Sequence, residues 1–267
     1  MKDLEPVPEE LTKFAGLLAD TARAATLPLF RSPVEVTDKA RGDTPFDPVT
    51  AADRASETEM RALIEQRYPD HGIIGEELPE RTGKSDFTWI LDPIDGTRSF
   101  ITGMPVWGTL IGLCRRGEPI IGVMDQPFTG ERFIGAGGKA SYRRGEETLP
   151  LATSRCRRLG DARFATTDPA LFTGPGQEHV HRALHARARL TRYGGDCYLY
   201  CMLAGGHIDL VVEAGLNIYD IAPLVPIIEG AGGVVTTWSG QSAAGGGDII
   251  AAASKSLHQE TLEIIPG

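Results

Sequence analysis

The residues best suited to chemistry are carboxylates that follow apolar segments of the chain. In WILDPIDGTRSF, Asp92 and Asp95 are separated by a Pro-Ile turn that can direct both carboxylates to the same side. Glu76 follows the apolar run in GIIGEE, Asp47 precedes a helix start in FDPVTAAD, and Asp220 lies within IYDIAP. Together these acids predict a site rich in oxygen ligands.

Oxygen ligands of this kind suit a hard divalent cation such as Mg²⁺ that also binds a substrate phosphate. Two such ions about 4 Å apart stabilise both the attacking and the leaving oxygen of a phosphoryl displacement, without a covalent nucleophile. Gly96 permits close backbone approach, and the amides of Gly96, Thr97 and Arg98 can bind an anion. Considered singly, the same acids are equally explained as turn residues, helix caps or solvated surface groups.

The elements that would position these acids can be traced from periodicity and chain breakers. Helical spacing predicts helices over residues 9–30 and 50–68, the second stopped by Pro69. Short apolar runs (HGIIGEE, FTWILDP, GTLIGLC, PIIGVMDQP and ERFIGA) then predict a sheet. After Gly145 strands and helices alternate, and Pro223 and Pro226 should distort a helix over residues 219–229. The pattern indicates an α/β (α+β) fold with a boundary near residue 150.

Composition excludes several classes of protein. The formal net charge of -9 over 267 residues provides no positive field for a nucleic acid. The N-terminal MKDLEPVPEELTKF has no apolar signal core, and no run of about 18 apolar residues occurs, which predicts a cytoplasmic protein without a membrane segment. The irregularly spaced cysteines predict reduced thiols, and Cys197 and Cys201 in an apolar stretch are expected to be buried and inert.

The motifs DPVTAAD, GIIGEE, WILDPIDGT and YDIA followed by EGAGG, in this order, resemble the motif set of the inositol monophosphatase superfamily. The resemblance covers most of the chain. It implies a layered αβαβα sandwich in which residues 1–150 form an α+β half with most metal ligands. Residues 151–267 would form an α/β half that carries Asp220 and the substrate-specificity segment. It further implies a homodimer and two or three Mg²⁺ ions, with Mn²⁺ as a possible substitute.

The resemblance also implies the metal ligands residue by residue. Glu76, Asp92 and the Ile94 carbonyl would hold one ion. Asp92, Asp95 and Asp220 would hold a second, so that Asp92 bridges the two ions.

The same matching assigns the catalytic and phosphate-binding groups. Thr97, together with Asp47 and Glu76, would orient and deprotonate the attacking water, while the amides of Gly96 and Thr97 would receive the phosphate. Asp53 matches a structural position. Tyr219 departs from the tryptophan that many inositol phosphatases have there, which bears on the subfamily rather than on the chemistry.

Within the superfamily, residues 194–233 together with TRSFITG and ATTDPALF resemble the histidinol-phosphate phosphatase branch. Histidinol phosphate carries a cationic amine and an imidazole, so its pocket should offer carboxylates and polar aromatic groups rather than a lining of hydroxyl-binding groups alone. Asp196, Glu213 and Asn217 are the candidates, with Glu213 otherwise explained as a solvated or capping acid at a strand end. Arg98 either steers the phosphate or pairs with a nearby carboxylate.

Three other functions compete with histidinol-phosphate hydrolysis. An inositol-1-monophosphatase, or a broad sugar or nucleotide monophosphatase, would share the metal site and differ in the alcohol pocket. Bisphosphatases would need a concentrated basic segment for a second phosphate, which we do not expect here. A non-catalytic metal-binding protein is disfavoured because every implied role has a suitable residue.

Overall fold

The computed structural model describes residues 7–33, 35–38 and 48–265, so Asp47 lies outside the described residues. Helices α1 to α8 span Glu9–Thr26, Ala51–Arg67, Thr97–Ile101, Gln177–Arg187, Asp196–Ala204, Ile218–Ile221, Val225–Gly230 and Lys255–Leu262. Strands β1 to β14 span Val36–Asp38, Pro48–Thr50, Gly72–Gly75, Phe87–Asp95, Gly108–Arg115, Glu118–Gln126, Glu131–Ala136, Lys139–Arg144, Glu147–Pro150, Arg163–Thr166, Leu190–Tyr193, Leu210–Leu216, Val234–Thr237 and Gly247–Ala252.

Helices α1 and α2 form where the apolar spacing predicts them. In α1, Phe14 and Leu18 lie one turn apart and are buried, so one face of the helix packs on the core. The predicted continuation to residue 30 is wrong: α1 ends at Thr26 and a short 3₁₀ turn follows, because Pro28 has no backbone N–H to donate. Thr50 caps α2 by accepting from the Ala52 amide.

Strands β1 and β2 form a small antiparallel pair, and two larger sheets separate three layers of helices, which confirms the αβαβα sandwich. The first sheet has the order β3-β4-β5-β6-β7-β8-β9 and is antiparallel except for the parallel pair β3 and β4. The second has the order β11-β10-β12-β14-β13, with β10 parallel to both β11 and β12. The division of the chain near residue 150 into separate halves stays a prediction.

Apolar side chains hold these layers together in separate clusters. Helices α1 and α2 bury Leu18 and Ile64 against Trp89 of the first sheet. Helices α5 and α7 fill the middle layer, and their buried side chains contact the inner faces of both sheets. Helices α4 and α8 cover the outer face of the second sheet, with Leu184 and Leu257 in one cluster. The metal-site acids lie at strand and helix ends between these clusters.

The segment around α6 and α7 is divided more sharply than the sequence predicts. Instead of one distorted helix over residues 219–229, α6 ends at Ile221 and α7 starts at Val225. Pro226 occupies the first turn of α7, where its missing N–H needs no partner. A Cβ at Gly122 of β6 would lie 1.8 Å from the Pro223 carbonyl oxygen, so the break packs directly on the first sheet.

The described part of the chain contains no helix that is both long and apolar enough to cross a membrane.

Candidate active site

Three of the predicted carboxylates converge on one point of the structure. Asp92 and Asp95 end β4, Asp220 lies in α6, and one oxygen from each lies within 4.8 Å of the others. The pairing of β4 with β5 shifts register between Asp92 and Asp95, which breaks the strict alternation of side chains along the strand. The Thr109 hydroxyl donates to the Pro93 carbonyl over 2.8 Å and fixes this turn.

Backbone amides orient two of these carboxylates. The Cys197 amide, in the first turn of α5, donates to Asp95 Oδ2 over 2.6 Å, so the positive end of that helix supports the carboxylate. The Asn217 amide donates to Asp220 Oδ2, also over 2.6 Å. Asp95 therefore connects the first sheet to the middle helical layer at the site.

The carboxylates of the acid cluster repel one another when no cation is bound. Burial raises the pKa of Asp92 well above its usual range, and repulsion from Glu76 and Asp95 raises it further. Burial likewise raises the pKa of Asp220 to about 7, although the Asn217 amide opposes that rise. The cluster is made of carboxylate oxygens, which are the ligands that a hard divalent cation prefers. These residues therefore fit a metal site.

Glu76 is carried by a loop that a buried ion pair holds in place. It follows β3, and its charge contributes to the raised pKa values of both Asp92 and Asp220. Glu57 of α2 accepts from the Glu77 amide over 2.8 Å and pairs with Arg61 over 2.7 Å.

Sequence reasoning missed Glu57 and Arg61, although α2 contained a signal for them. Both lie one turn apart on the buried face of α2, in register with Met60 and Ile64. A Cβ at Gly75 would lie 2.2 Å from Glu57 Oε1, so the glycine in GIIGEE makes room for this carboxylate. An ionic pair on an apolar helix face indicates a buried partner, here the loop that carries Glu76.

The predicted water- and phosphate-binding residues lie directly after β4. The Thr97 hydroxyl donates to the Ile94 carbonyl oxygen over 3.2 Å at the start of α3. Gly96 has a φ of 81°, and a Cβ there would lie 2.7 Å from Asp196 Cγ. Only glycine fits at this position. The first amides of α3 have no acceptor within the helix, as at any helix N-terminus.

Two adjoining cavities open at the acid cluster. The inner cavity, of about 140 Å³, reaches Asp95 and Asp220, and the outer cavity, of about 390 Å³, reaches Gly96 and Thr97. Thr167, Leu171 and Asp196 line both cavities. The metal cluster is thus continuous with a space large enough for a small organic phosphate.

The predicted substrate residues divide into two groups. Asp196 lines both cavities and accepts from the Ser99 hydroxyl over 2.7 Å; burial raises its pKa, although this hydrogen bond and the nearby Arg98 guanidinium oppose the rise. Glu213 lines the inner cavity. Asn217 is absent from the described lining of either cavity, and its backbone amide donates to Asp220; its contact with substrate stays a prediction. Asp168, which the sequence reasoning did not single out, lines the outer cavity.

Glu213 is more deeply fixed than a surface carboxylate would be. It is 4% exposed, and its two oxygens accept from the Thr167 amide over 2.9 Å and the Tyr200 hydroxyl over 2.8 Å. Burial raises its pKa, while these two hydrogen bonds oppose the rise. Glu213 therefore links two residues of the inner cavity wall, and its carboxyl group also faces that cavity.

Comparisons with known proteins agree with this geometry. The chain is 40% identical to the bifunctional phosphatase IMPL2 of Arabidopsis thaliana, over 95% of this chain and 75% of that protein. It is 32% identical to a histidinol-phosphatase of Chlorobaculum parvum, over 93% of each chain. The solved structure of an inositol monophosphatase from Zymomonas mobilis superposes with a TM-score of 0.84 at 40% identity, covering 98% of this chain and 99% of that one.

The match to a protein family extends over nearly the whole described chain. Residues 7–266 match the inositol monophosphatase family, which includes the segments that carry Glu76, Asp92, Asp95 and Asp220. The fold is the one that the resemblance implied, and three of the five implied metal ligands meet in the acid cluster. The chain belongs to the inositol monophosphatase family.

Proposed function

We propose that this phosphatase is a Mg²⁺-dependent enzyme that hydrolyses L-histidinol phosphate to L-histidinol and phosphate. The observation that carries the chemistry is the convergence of Asp92, Asp95 and Asp220 within 4.8 Å beside the start of α3. Carboxylates beside free helical amides suit a cation and a phosphate dianion in adjacent positions.

For the metal-binding residues we propose the set that the family resemblance implies. Glu76, Asp92 and the Ile94 carbonyl would hold one Mg²⁺, and Asp92, Asp95 and Asp220 would hold a second. When bound, the ions offset the charge of the phosphate and lower the pKa of water. The carboxylates supply the negative charge that retains the ions, and their mutual repulsion is relieved by binding.

Thr97 and Glu76 are the described groups that act on the attacking water, with Asp47 as the third in our proposal. The Thr97 hydroxyl donates a hydrogen bond to the Ile94 carbonyl. Its oxygen can therefore accept a hydrogen bond from the attacking water. Glu76 then receives the water proton as a general base. The amides of Gly96 and Thr97 bind the phosphate oxygens and stabilise the charge that develops on them.

The carboxylates around the cavities support histidinol phosphate as the substrate. Asp168 and Asp196 line the outer cavity, and Glu213 lies in the wall of the inner one. An ammonium group beside such carboxylates gains an attraction between opposite charges, in addition to hydrogen bonds, that an uncharged polyol lacks. The histidinol-phosphatase of Chlorobaculum parvum is one of the relatives that this chain resembles.

An inositol-1-monophosphatase is the second candidate. The hydroxyls of Ser99, Thr102 and Thr167 line the outer cavity and suit the hydroxyls of a polyol. The Zymomonas mobilis structure that this chain resembles at 40% identity is described as an inositol monophosphatase. A broader sugar monophosphatase activity would use the same hydroxyls. Cytoplasmic location and homodimer formation stay predictions from the sequence.

Phosphate release from the purified protein tests the proposal. L-histidinol phosphate and inositol 1-phosphate are compared at matched concentrations with Mg²⁺, and with a chelator as the control. We expect kcat/KM to favour histidinol phosphate by at least about tenfold. Equal values, or a preference for inositol 1-phosphate, would assign the enzyme to the second candidate. Release that persists in chelator would contradict the metal-dependent mechanism.

A further inference from the structure

A third cavity, separate from the two at the active site, is lined by several arginines. It has a volume of about 730 Å³ and shares no lining residue with the two cavities of the active site. Five arginines and two aspartates line it, in a chain whose net charge is -9. The lining residues are Ser154, Arg155, Cys156, Arg157, Arg158, Asp161, Arg163, Arg189, Leu190 and Asp209.

Within the part of the chain that the structure describes, Arg163 is the one arginine of this cavity whose guanidinium pairs with another residue of the protein. Arg163 donates from Nε and Nη2 to the Asp209 carboxylate, both over 2.7 Å. Among the described residues, the guanidinium groups of Arg155, Arg157, Arg158 and Arg189 form neither a salt bridge nor a hydrogen bond to the protein. The cavity therefore contains an excess of uncompensated positive charge.

The backbone that presents the arginines is fixed at several points. The Ser154 hydroxyl donates to Asp209, and the Ser254 hydroxyl donates to the Cys156 carbonyl over 2.6 Å. The Leu159 amide donates to Glu260 over 2.8 Å. Since these contacts come from separate elements, the loop between β9 and β10 is anchored along its length. Ordering such a loop on ligand binding would lose little additional backbone entropy.

The cavity lies at the opposite end of two strands from the active site. Strand β10 starts at Arg163 and is followed by Thr167, which lines both active-site cavities. Strand β12 runs from the position after Asp209 to beyond Glu213. Four residues of extended strand span about 13 Å. A ligand in the arginine cavity is thus separate from a substrate at the acid cluster.

We infer that the arginine cavity binds a small organic anion that carries two or more linked phosphates. Several unpaired guanidinium groups exceed what one phosphate can engage, since each one can donate two parallel hydrogen bonds. The volume matches the size of sites for small molecules. Leu190, 48% exposed, adds an apolar contact for an organic moiety. An extended nucleic acid is disfavoured because the chain is otherwise acidic.

Calorimetric titration with inorganic pyrophosphate tests this inference. The protein is first stripped of divalent metal and returned to chelator-free buffer of low ionic strength, so that the acid cluster repels the probe. We expect Arg157→Gln/Arg158→Gln to weaken pyrophosphate binding by roughly tenfold or more. The matched control is Arg143→Gln/Arg144→Gln, an adjacent exposed pair on β8, which should bind pyrophosphate like the wild type.

A second variant guards against misfolding of the first. Arg189→Gln changes a residue outside the loop, and we expect it to weaken pyrophosphate binding by several fold with an unchanged thermal transition. No binding by the wild type, or equal binding by all variants, overturns the inference. Binding of a single-stranded RNA oligonucleotide in place of pyrophosphate would also overturn it. Hydrolysis of the phosphate ester is unaffected by these variants, so the outcome is independent of the proposed function.

Discussion

Two charged clusters, one acidic and one basic, lie near opposite ends of strands β10 and β12 and differ greatly in burial. At one end, Asp92 is 1% exposed and lies within a group of acids whose pKa values are raised. At the other end, Arg157 and Arg158 are exposed. Like charges that water solvates repel each other weakly, whereas buried ones destabilise the protein until a counterion binds. The acid cluster therefore depends on its ligand, and the arginine cluster does not.

The largest expected effect is on the bridging acid. Asp92→Asn removes one charge from both proposed metal positions, and we expect metal-dependent turnover to fall by roughly a thousandfold or more. The metal-free variant should melt no lower than the wild type, because the change relieves repulsion in the buried cluster. Turnover is measured by phosphate release and melting by calorimetry.

The control for Asp92→Asn is Asp86→Asn, which changes an exposed carboxylate that pairs with Arg116. This control should keep both its turnover and its melting temperature, since exposed ion pairs contribute little. If the metal-free Asp92→Asn protein melted well below the wild type, the Asp92 carboxylate would stabilise the fold rather than destabilise it by repulsion.

The second effect concerns the ion pair that holds the Glu76 loop. Glu57→Gln leaves the buried Arg61 guanidinium without a carboxylate partner. It also weakens the hydrogen bond that the Glu77 amide donates to residue 57. We expect the free energy of unfolding to fall by about 3 kcal/mol and the Mg²⁺ requirement to rise. Urea unfolding and a metal titration of activity measure the two effects.

Glu59→Gln is the matched control for that experiment, since Glu59 lies on the exposed face of the same helix. It should change the unfolding free energy by less than about 0.5 kcal/mol. If Glu57→Gln lowered stability without changing the Mg²⁺ requirement, the ion pair would support the fold but not the position of Glu76.

The third effect is a pH dependence of the metal-free protein. Because burial raises the pKa of Asp220 from 3.8 to about 7, the folded state binds a proton that the unfolded state has lost between those values. This group's contribution to stability therefore decreases as pH rises through that window. We expect Asp220→Asn to gain about 2 kcal/mol over the wild type at pH 8 and little at pH 4.

Comparing the two proteins at each pH cancels the contributions of other groups. Burial lowers the pKa values of His71, His181 and His258, so both proteins lose stability as pH falls through the histidine range. Saturating Mg²⁺ should reverse the order, since only the wild type keeps the full ligand set. A difference between the two metal-free proteins that does not change with pH would contradict the electrostatic account.

The sequence predicted the parts of the fold that depend on local patterns. The spacing of apolar residues located α1 and α2, and the ordered motifs identified the layered fold and the acids that meet at the site. Positions that depend on distant partners were not accessible in this way. Glu57 was not singled out from the sequence, because its role depends on the amide of Glu77, which is 20 residues further along the chain.

The arginine cavity shows the same limit. The sequence analysis did not predict a basic site, although Arg155, Arg157 and Arg158 are close in sequence. Only the parallel pairing of β10 and β11 brings Arg189 beside them. Contacts that depend on such nonlocal pairing require the folded chain.

The smallest expected effect separates the carboxylates that could hold the substrate amine. Asp196 lines both cavities, so Asp196→Asn should raise KM for histidinol phosphate by about tenfold and leave kcat less affected. Glu213→Gln should raise KM only about threefold, because both oxygens of Glu213 already accept hydrogen bonds within the protein. A glutamine preserves the bond from the Thr167 amide and can donate to the Tyr200 oxygen, so the cavity wall keeps its shape.

Inositol 1-phosphate, which carries no amine, serves as the reference substrate and should show the same KM with all three proteins. An equal rise in KM for both substrates would mean that these acids shape the cavity rather than recognise the amine, and an unchanged KM for histidinol phosphate in both variants would remove them from substrate binding.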